Sequence, residues 1–559
     1  MPDDFDYAPA GPELLPGTRA YAALQREVMM FCLQNLPEPK PGDTDKTVTM
    51  RNALRRWTEG IRKGEADIAQ FGPLVTRGTL RRTVELQFRR TLIYWRMFRF
   101  SDLPPEITSN IFRLVVWSVN HPSEGVKQRL RITWVCRSWR AQAIGDATLW
   151  NAIWFRDPPP YERSLEWFNR AGSARLDIRL NEMDPKWSTN QDEHKFTAEQ
   201  MSNLLDKLFV KLPRIRMLVV IVDNWPPALT VLQKLQTAGN AGIPISIERL
   251  EVHRMGMPYV WIGPGFDRGG HRDPAVLFGG QTKSLSHLCL SGIHIDWRDT
   301  PLSGLTTLDL RSMAMNVSPT LERFREILRA CPLLDKLALD GCGPQQEEKP
   351  FDHVPVDLMH LKTLVLGSFS LPYACFIVAQ INAPHVRDFT LMSLSGTDYS
   401  PLIMQLTPMF REVRILTLYG VQVEMSRQGK KAMVRWLDAM PDLAYARIAR
   451  IKLEVLMMFL EDPLKYRSKS EETTTGGTAT RRILCPKFTT MEIQAMSPAT
   501  IVEFCQARRK IGVPFKKMYL NTPWAEKLKV DDLTNMRREA LLFYAPLGAN
   551  TEEETELLA

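Results

Sequence analysis

The 559-residue chain has no run of 18 apolar residues. Its longest apolar strings are short, such as Leu218-Val219-Val220-Ile221-Val222, whereas a membrane-spanning helix needs about 20. No transmembrane span and no membrane partner is expected. The N-terminus, MPDDFDYAPAGPELLP, has no basic segment followed by an apolar one, so it does not read as a secretory signal. The protein is expected to be intracellular, in cytoplasm or nucleus, and the sequon Asn316-Val317-Ser318 then carries no meaning. The eight cysteines form no C-x-x-C pair and read as buried free thiols, not as disulfides or zinc ligands.

Enzyme signatures are also missing. There is no G-x-x-x-x-G-K-[ST], no H-E-x-x-H and no G-x-S-x-G. Gly263-Pro264-Gly265 with Gly269 misses the spacing of a dinucleotide fingerprint. His253, His271, His287 and His294 lack ligand spacing, and Asp296 and Asp299 beside Trp297 are the nearest approach to a carboxylate pair. No catalytic residue, metal or cofactor is expected.

What is present is ordinary globular material. The hydrophobic fraction is 44%, enough for a core. The length suits about three or four domains or one long repeat array. The net charge of +9 is local: residues 47–100 hold twelve Arg or Lys against four Asp or Glu. Residues 1–18 read as disordered. Helices are expected at 21–36, 47–70 and 79–98, the last two forming an antiparallel hairpin. The pairs Arg55-Arg56, Arg62-Lys63, Arg81-Arg82 and Arg89-Arg90 alternate with Trp57, Phe88 and Trp95, which is compatible with phosphate contacts and base stacking. Those aromatics lie on the apolar stripe, so a basic RNA-binding scaffold is the secondary reading and nucleic acid is not the expected partner.

Residues 101–154 hold an ordered set of signals. Leu103-Pro104-Pro105-Glu106-Ile107 opens a helix with proline at its first position. Ile107, Ile111, Leu114 and Val115 then recur with the period of one helix face. Val135-Cys136-Arg137 with Trp139-Arg140 forms a second block, and Leu149-Trp150 with Ile153-Trp154 closes the stretch. Residues 120–125 between the blocks read as an inserted loop.

This set resembles the F-box, and the insertion is similar to those of F-box proteins in mushroom-forming fungi. The resemblance implies docking on a Skp-type adaptor, and through it a cullin. Leu103, Pro104, Ile107, Ile111, Phe112, Val135 and Trp139 would form the docking face.

Beyond Pro158-Pro159-Pro160, strings of the form L-x-x-L-x-L recur. Their middle anchors fall at 176, 218, 250, 288, 308, 337, 364, 389, 416, 446, 491 and 518. Six of the eleven gaps fall within the 20–29-residue period of leucine-rich repeats. Each string would be a short strand, and the stretch after it would return as a helix, as at 318–330. Only Cys342 occupies the turn position where that family places Asn or Cys; Met255, Ile293, Met313, Phe369 and Val421 stand at the others. Residues 255–281 and 465–482 interrupt the array, the first as a rim loop and the second as a mobile, low-complexity segment.

The expected fold class is α/β: an N-terminal helical segment and F-box helices, then an irregular leucine-rich-repeat solenoid, or horseshoe. The expected domains are 1–18 disordered, 19–100 basic helical, 101–156 F-box, 157–545 repeats and 546–559 an acidic, disordered tail. The resemblance implies a non-catalytic substrate-recognition adaptor of a Skp-cullin-F-box ubiquitin ligase. The repeats would hold an unidentified substrate protein. An F-box protein acting outside a ligase is the alternative.

Overall fold

The structure is a computed structural model that describes residues 7–16, 18–34, 46–97, 103–118, 122–184, 188–256, 274–346, 354–396, 398–466, 482–545 and 551–558. The chain divides into two compact units, Met1–Leu149 and Trp150–Ala559.

The first unit is helical: α1 (Arg19–Gln34), α2 (Lys46–Phe71), α3 (Arg77–Met97), α4 (Pro105–Trp117), α5 (Pro122–Val135) and α6 (Arg137–Gly145). Helices α2 and α3 run antiparallel, since Gly60 meets Leu86 while Gly64, one turn on, meets Thr83. A Cβ at Gly64 would lie 2.0 Å from Thr83 Oγ1, so this glycine permits the close approach. Leu80, Val84 and Leu92 of the α3 stripe are buried, and Val84 and Leu92 cluster with Val28 and Cys32 of α1. Residues 8–11, in the segment read as disordered, lie against the α2–α3 turn. There the Ala10 amide donates to Val75 O at 2.7 Å. Residues 122–125, read as part of a loop, form the first turn of α5. Pro122 fits that turn because its missing N–H would have no partner there.

The second unit is built on strands β1 (Ala152–Phe155), β2 (Leu176–Asn181), β3 (Ile215–Val222), β4 (Arg249–Arg254), β5 (His287–Ser291), β6 (Thr307–Arg311), β7 (Lys336–Asp340), β8 (Val356–Asp357), β9 (Thr363–Gly367), β10 (Ile381–Asn382), β11 (Asp388–Met392), β12 (Ile415–Tyr419), β13 (Tyr445–Ala449), β14 (Thr490–Gln494), β15 (Lys517–Asn521) and β16 (Leu541–Ala545). Fourteen of them form one parallel sheet in strict chain order; β8 and β10 pair separately. Parallel neighbours in chain order need crossover connections, and right-handed crossovers place these on one face.

The apolar anchors make a continuous row through the register. Leu250 pairs with Leu288, Leu288 with Leu308, Leu308 with Leu337 and Leu337 with Leu364. These leucines are 0–1% exposed, each stabilising by about 1.5–3 kcal/mol. In β2 the residue in the row is Ile178, opposite Leu218; Leu176 lies opposite Ile215, ahead of an irregularity in the pairing.

Eight strands end alike. Gly292, Ser312, Gly341, Ser368, Ser393, Gly420, Arg450 and Ala495, each just past its strand, all have positive φ. From Gly292 to Gly420 each amide donates to the last carbonyl of the next strand, as in Ser312 N to Asp340 O at 2.7 Å. The turns are thus satisfied by backbone, which is why no Asn or Cys ladder is needed.

The expected repeating solenoid, or horseshoe, is corrected to a single large 14-stranded parallel sheet flanked by helices. The connections do not repeat. A 16-residue helix, Trp225–Asn240, joins β3 to β4, a 9-residue helix, Leu321–Arg329, joins β6 to β7, and β5 reaches β6 with no helix. Similar strand spacing in the sequence arose from unlike connectors. Residues 467–481 and most of 255–281 lie outside the described residues.

Candidate functional site: the polar face of the sheet

Alternation along a strand places Leu288 and Leu290 in the core and His287, Cys289 and Ser291 on the opposite face. The same alternation in neighbouring strands gathers polar side chains there into two clusters.

The first cluster lies on β4–β7. Glu251 accepts from Arg249 Nε at 2.6 Å and His253 Nε2 at 3.1 Å, and His287 Nε2 stands 3.4 Å away. Burial alone would raise the Glu251 carboxyl, but the two histidines and Arg249 outweigh it and hold it well below the usual range. Asp309 is gripped by Arg311 through two bonds, at 2.6 and 2.9 Å, and by Lys336 at 3.2 Å. Burial opposes ionisation here too, and these cations again bring the carboxyl below its ordinary value. Cys289 sits between the two carboxylates. Burial first, then Asp309 and Glu251, push its thiol up to about 12, so it is not an activated nucleophile.

The second cluster centres on Arg447 of β13 and includes the end of the chain. Residues 552–558, read as a disordered acidic tail, form a helix against this face. A capping box starts it: the Glu554 amide donates to Thr551 Oγ1 at 3.3 Å, and the Thr551 amide to Glu554 Oε2 at 2.8 Å. Glu554, 1% exposed, accepts from Arg447 Nε at 2.6 Å. Arg447 also faces Asp388 at 3.4 Å and Glu492 at 3.9 Å. Glu553 accepts from Lys517 and Tyr519. Cations also meet the carbonyls at the helix's far end, its negative pole: Arg414 donates to Leu557 O at 3.1 Å and Arg387 to Leu558 O at 3.4 Å. Burial raises the Asp388 and Glu492 carboxyls, with Arg447 opposing. Burial would lower the Arg447 guanidinium, but Asp388, Glu554 and Glu492 together keep it above its ordinary value.

Other sequence candidates separate. His253 and His287 meet at Glu251, whereas His294 is buried edge-on to Trp225, with ring centroids 6.0 Å apart. Asp296 accepts from the amides of Arg298 and Asp299 and so shapes a turn. His271 and Gly263–Gly269 lie outside the described residues. Among the described residues no group of three or more His, Cys, Asp or Glu could hold a metal ion. Phe88 packs into the α1–α3 core, and Arg81 and Arg89 pair with Glu27 and Glu85.

The expected docking residues are spread between core and surface of the helical unit. Phe112 is fully buried and lies 4.9 Å from Trp139, ring to ring. Leu103, Ile111 and Trp139 are half-buried, and Pro104, Ile107 and Val135 are exposed. The buried side of α4 is Thr108, Phe112 and Val116, one residue round from the apolar stripe read in the sequence. Leu114, Trp117 and Trp134 are exposed with that stripe.

No family model matches the chain, and no curated protein matches it. The F-box and leucine-rich-repeat resemblance is therefore corrected. The closing residues Ile153 and Trp154 belong to strand β1 of the sheet, and residues 122–125 of the supposed inserted loop open a helix. The reading as an adaptor of a Skp-cullin-F-box ubiquitin ligase falls with the resemblance, as does the version acting outside a ligase. The expectation of a non-catalytic subunit falls too, since a large parallel sheet with flanking helices is an architecture typical of catalytic α/β folds.

The polar face was only partly legible in the sequence. Alternation along each strand sets which residues share this face, but which carboxylate meets which cation depends on register. For the terminal helix a local signal existed: Thr551-x-x-Glu554 has the form of a capping box.

Proposed function

We propose that the polar face over β11–β15 is a binding surface for an acidic helical segment of a partner protein, and that the chain's own C-terminal helix occupies it when no partner is bound. One observation carries this reading. The terminal helix has carboxylates at its start seated on Lys517, Tyr519 and Arg447, and carbonyls at its end capped by Arg387 and Arg414. That charge pattern matches an acidic helix end to end.

A fluorescent peptide spanning residues 549–559 tests it, titrated into the full chain and into Glu553→Ala/Glu554→Ala. The variant binds the peptide more tightly than the wild type does, and binding to both weakens as salt rises. Lys517→Met in the variant background lowers the affinity. Equal or absent binding to both forms, with folding intact by circular dichroism, overturns the proposal.

A further inference from the structure

The seated C-terminal helix shows which of its positions the surface reads. Thr551, Glu554 and Leu558 are spaced by three and four residues, and Glu553 and Leu557 by four, so these five share one side of a helix. Thr551 is 8% and Glu554 1% exposed, and Glu553, Leu557 and Leu558 are half-buried. Thr555 and Glu556, on the other side, are exposed.

The surface beneath is not uniformly polar. Ile415 and Tyr445, paired across β12 and β13, are 0% exposed. Arg414, which holds Leu557 O, directly precedes Ile415 in the chain, and the Tyr445 hydroxyl meets the Thr551 side chain. Attraction between opposite charges alone accounts for neither the buried cap nor this apolar floor.

The cap also sets a condition on its hydroxyl. Thr551 Oγ1 accepts from the Glu554 amide at 3.3 Å, and the Glu554 carboxylate returns to the Thr551 amide at 2.8 Å. A phosphate on that hydroxyl would carry a charge of about −1.5 to −2. It would be buried beside the Glu554 carboxylate, where like-charge repulsion and desolvation both oppose seating.

We propose that the surface selects its partner by the pattern Thr/Ser-x-Glu-Glu-x-x-Leu-Leu and refuses a segment phosphorylated at the first position. The proposal rests on the reading of this surface as a site for an acidic helix, and adds which positions of that helix are recognised.

Fluorescent peptides of residues 549–559 test it, titrated into full-length Glu553→Ala/Glu554→Ala, whose own helix has lost both seated carboxylates. Glu554→Gln in the peptide should weaken binding at least about tenfold, Thr551→Val about fivefold and Glu556→Gln less than about twofold. The two Glu→Gln peptides carry equal charge, so the difference between them measures position. Phosphothreonine at position 551 should weaken binding at least about tenfold, although it makes the peptide more acidic. Equal losses in Glu554→Gln and Glu556→Gln, or a phosphopeptide that binds as tightly as the parent or more so, overturn the pattern and leave a surface that reads charge alone. Absence of binding by the parent peptide overturns the underlying reading, and the pattern with it.

Discussion

Releasing the C-terminal helix is the most direct perturbation of the polar face. A seven-residue helix is unstable alone, so residues 552–558 hold their form only while docked. A docked segment on a short tether experiences an effective concentration on the order of 1 mM. With an intrinsic affinity of about 0.1 mM it would be bound roughly ten parts to one, a bias of about 1.4 kcal/mol. Glu554→Ala removes the reciprocal cap, costing about 1 kcal/mol. It also removes a charge-assisted bond to Arg447, costing about 1.5–3 kcal/mol. Arg447 keeps Asp388 and Glu492, so the larger penalty of an orphaned buried charge does not arise. The Lys517–Glu553 pair, partly exposed and worth at most about 1 kcal/mol, stays in place in this variant and is no part of the loss. The summed loss exceeds the bias, so the helix should pass from mostly docked to mostly free. Hydrogen exchange of the 552–558 amides measures this directly: protection in the wild type should vanish in Glu554→Ala while the strands keep theirs. Unchanged protection in the variant would refute both these energies and the docked geometry.

Four other perturbations have defined outcomes. Phe112→Ala should destabilise the helical unit by about 3–5 kcal/mol, read from its denaturant midpoint, because the ring is fully buried against Trp139. Ala495→Gly should stabilise by about 0.5–1 kcal/mol, since Ala495 is exposed and holds φ of 51°, a left-handed conformation that costs a side chain energy. Gly239→Ala should cost about 1–3 kcal/mol in thermal melts, because its Cβ would lie 1.8 Å from the backbone oxygen of Phe278. Glu251 has a folded-state pKa below its unfolded value, so its contribution is present above the unfolded value and lost as pH falls toward the folded one. Glu251→Gln should therefore be less stable than wild type at pH 7 and lose less stability on acidification, as urea midpoints at several pH values would show.

The residues alone determined much of the secondary structure. The stripe Leu80, Val84 and Leu92 marks α3 because a 3.6-residue period collects apolar side chains on one face. The alternating leucines mark the strands because a pleated backbone turns successive side chains opposite ways, and each later anchor of that pattern lies in the buried row of the sheet. Proline placed the start of α4 through its fixed φ and missing donor.

Only the tertiary structure decided the rest. Spacing between strands does not say what connects them, so similar intervals concealed a 16-residue helix in one place and no helix in another. The apolar stripe of α4 gave a helix but not its orientation: Phe112 packs on Trp139, and this turns Ile107 and Leu114 outward. The Glu251–His287 and Asp309–Lys336 contacts join different strands and exist only in this register. The cap Thr551-x-x-Glu554 could start a helix locally, but Arg447, Arg414 and Lys517 hold it on the sheet because the register sets those cations beneath it. Local geometry is written in short-range sequence pattern, whereas charge pairing across strands is a property of the folded sheet.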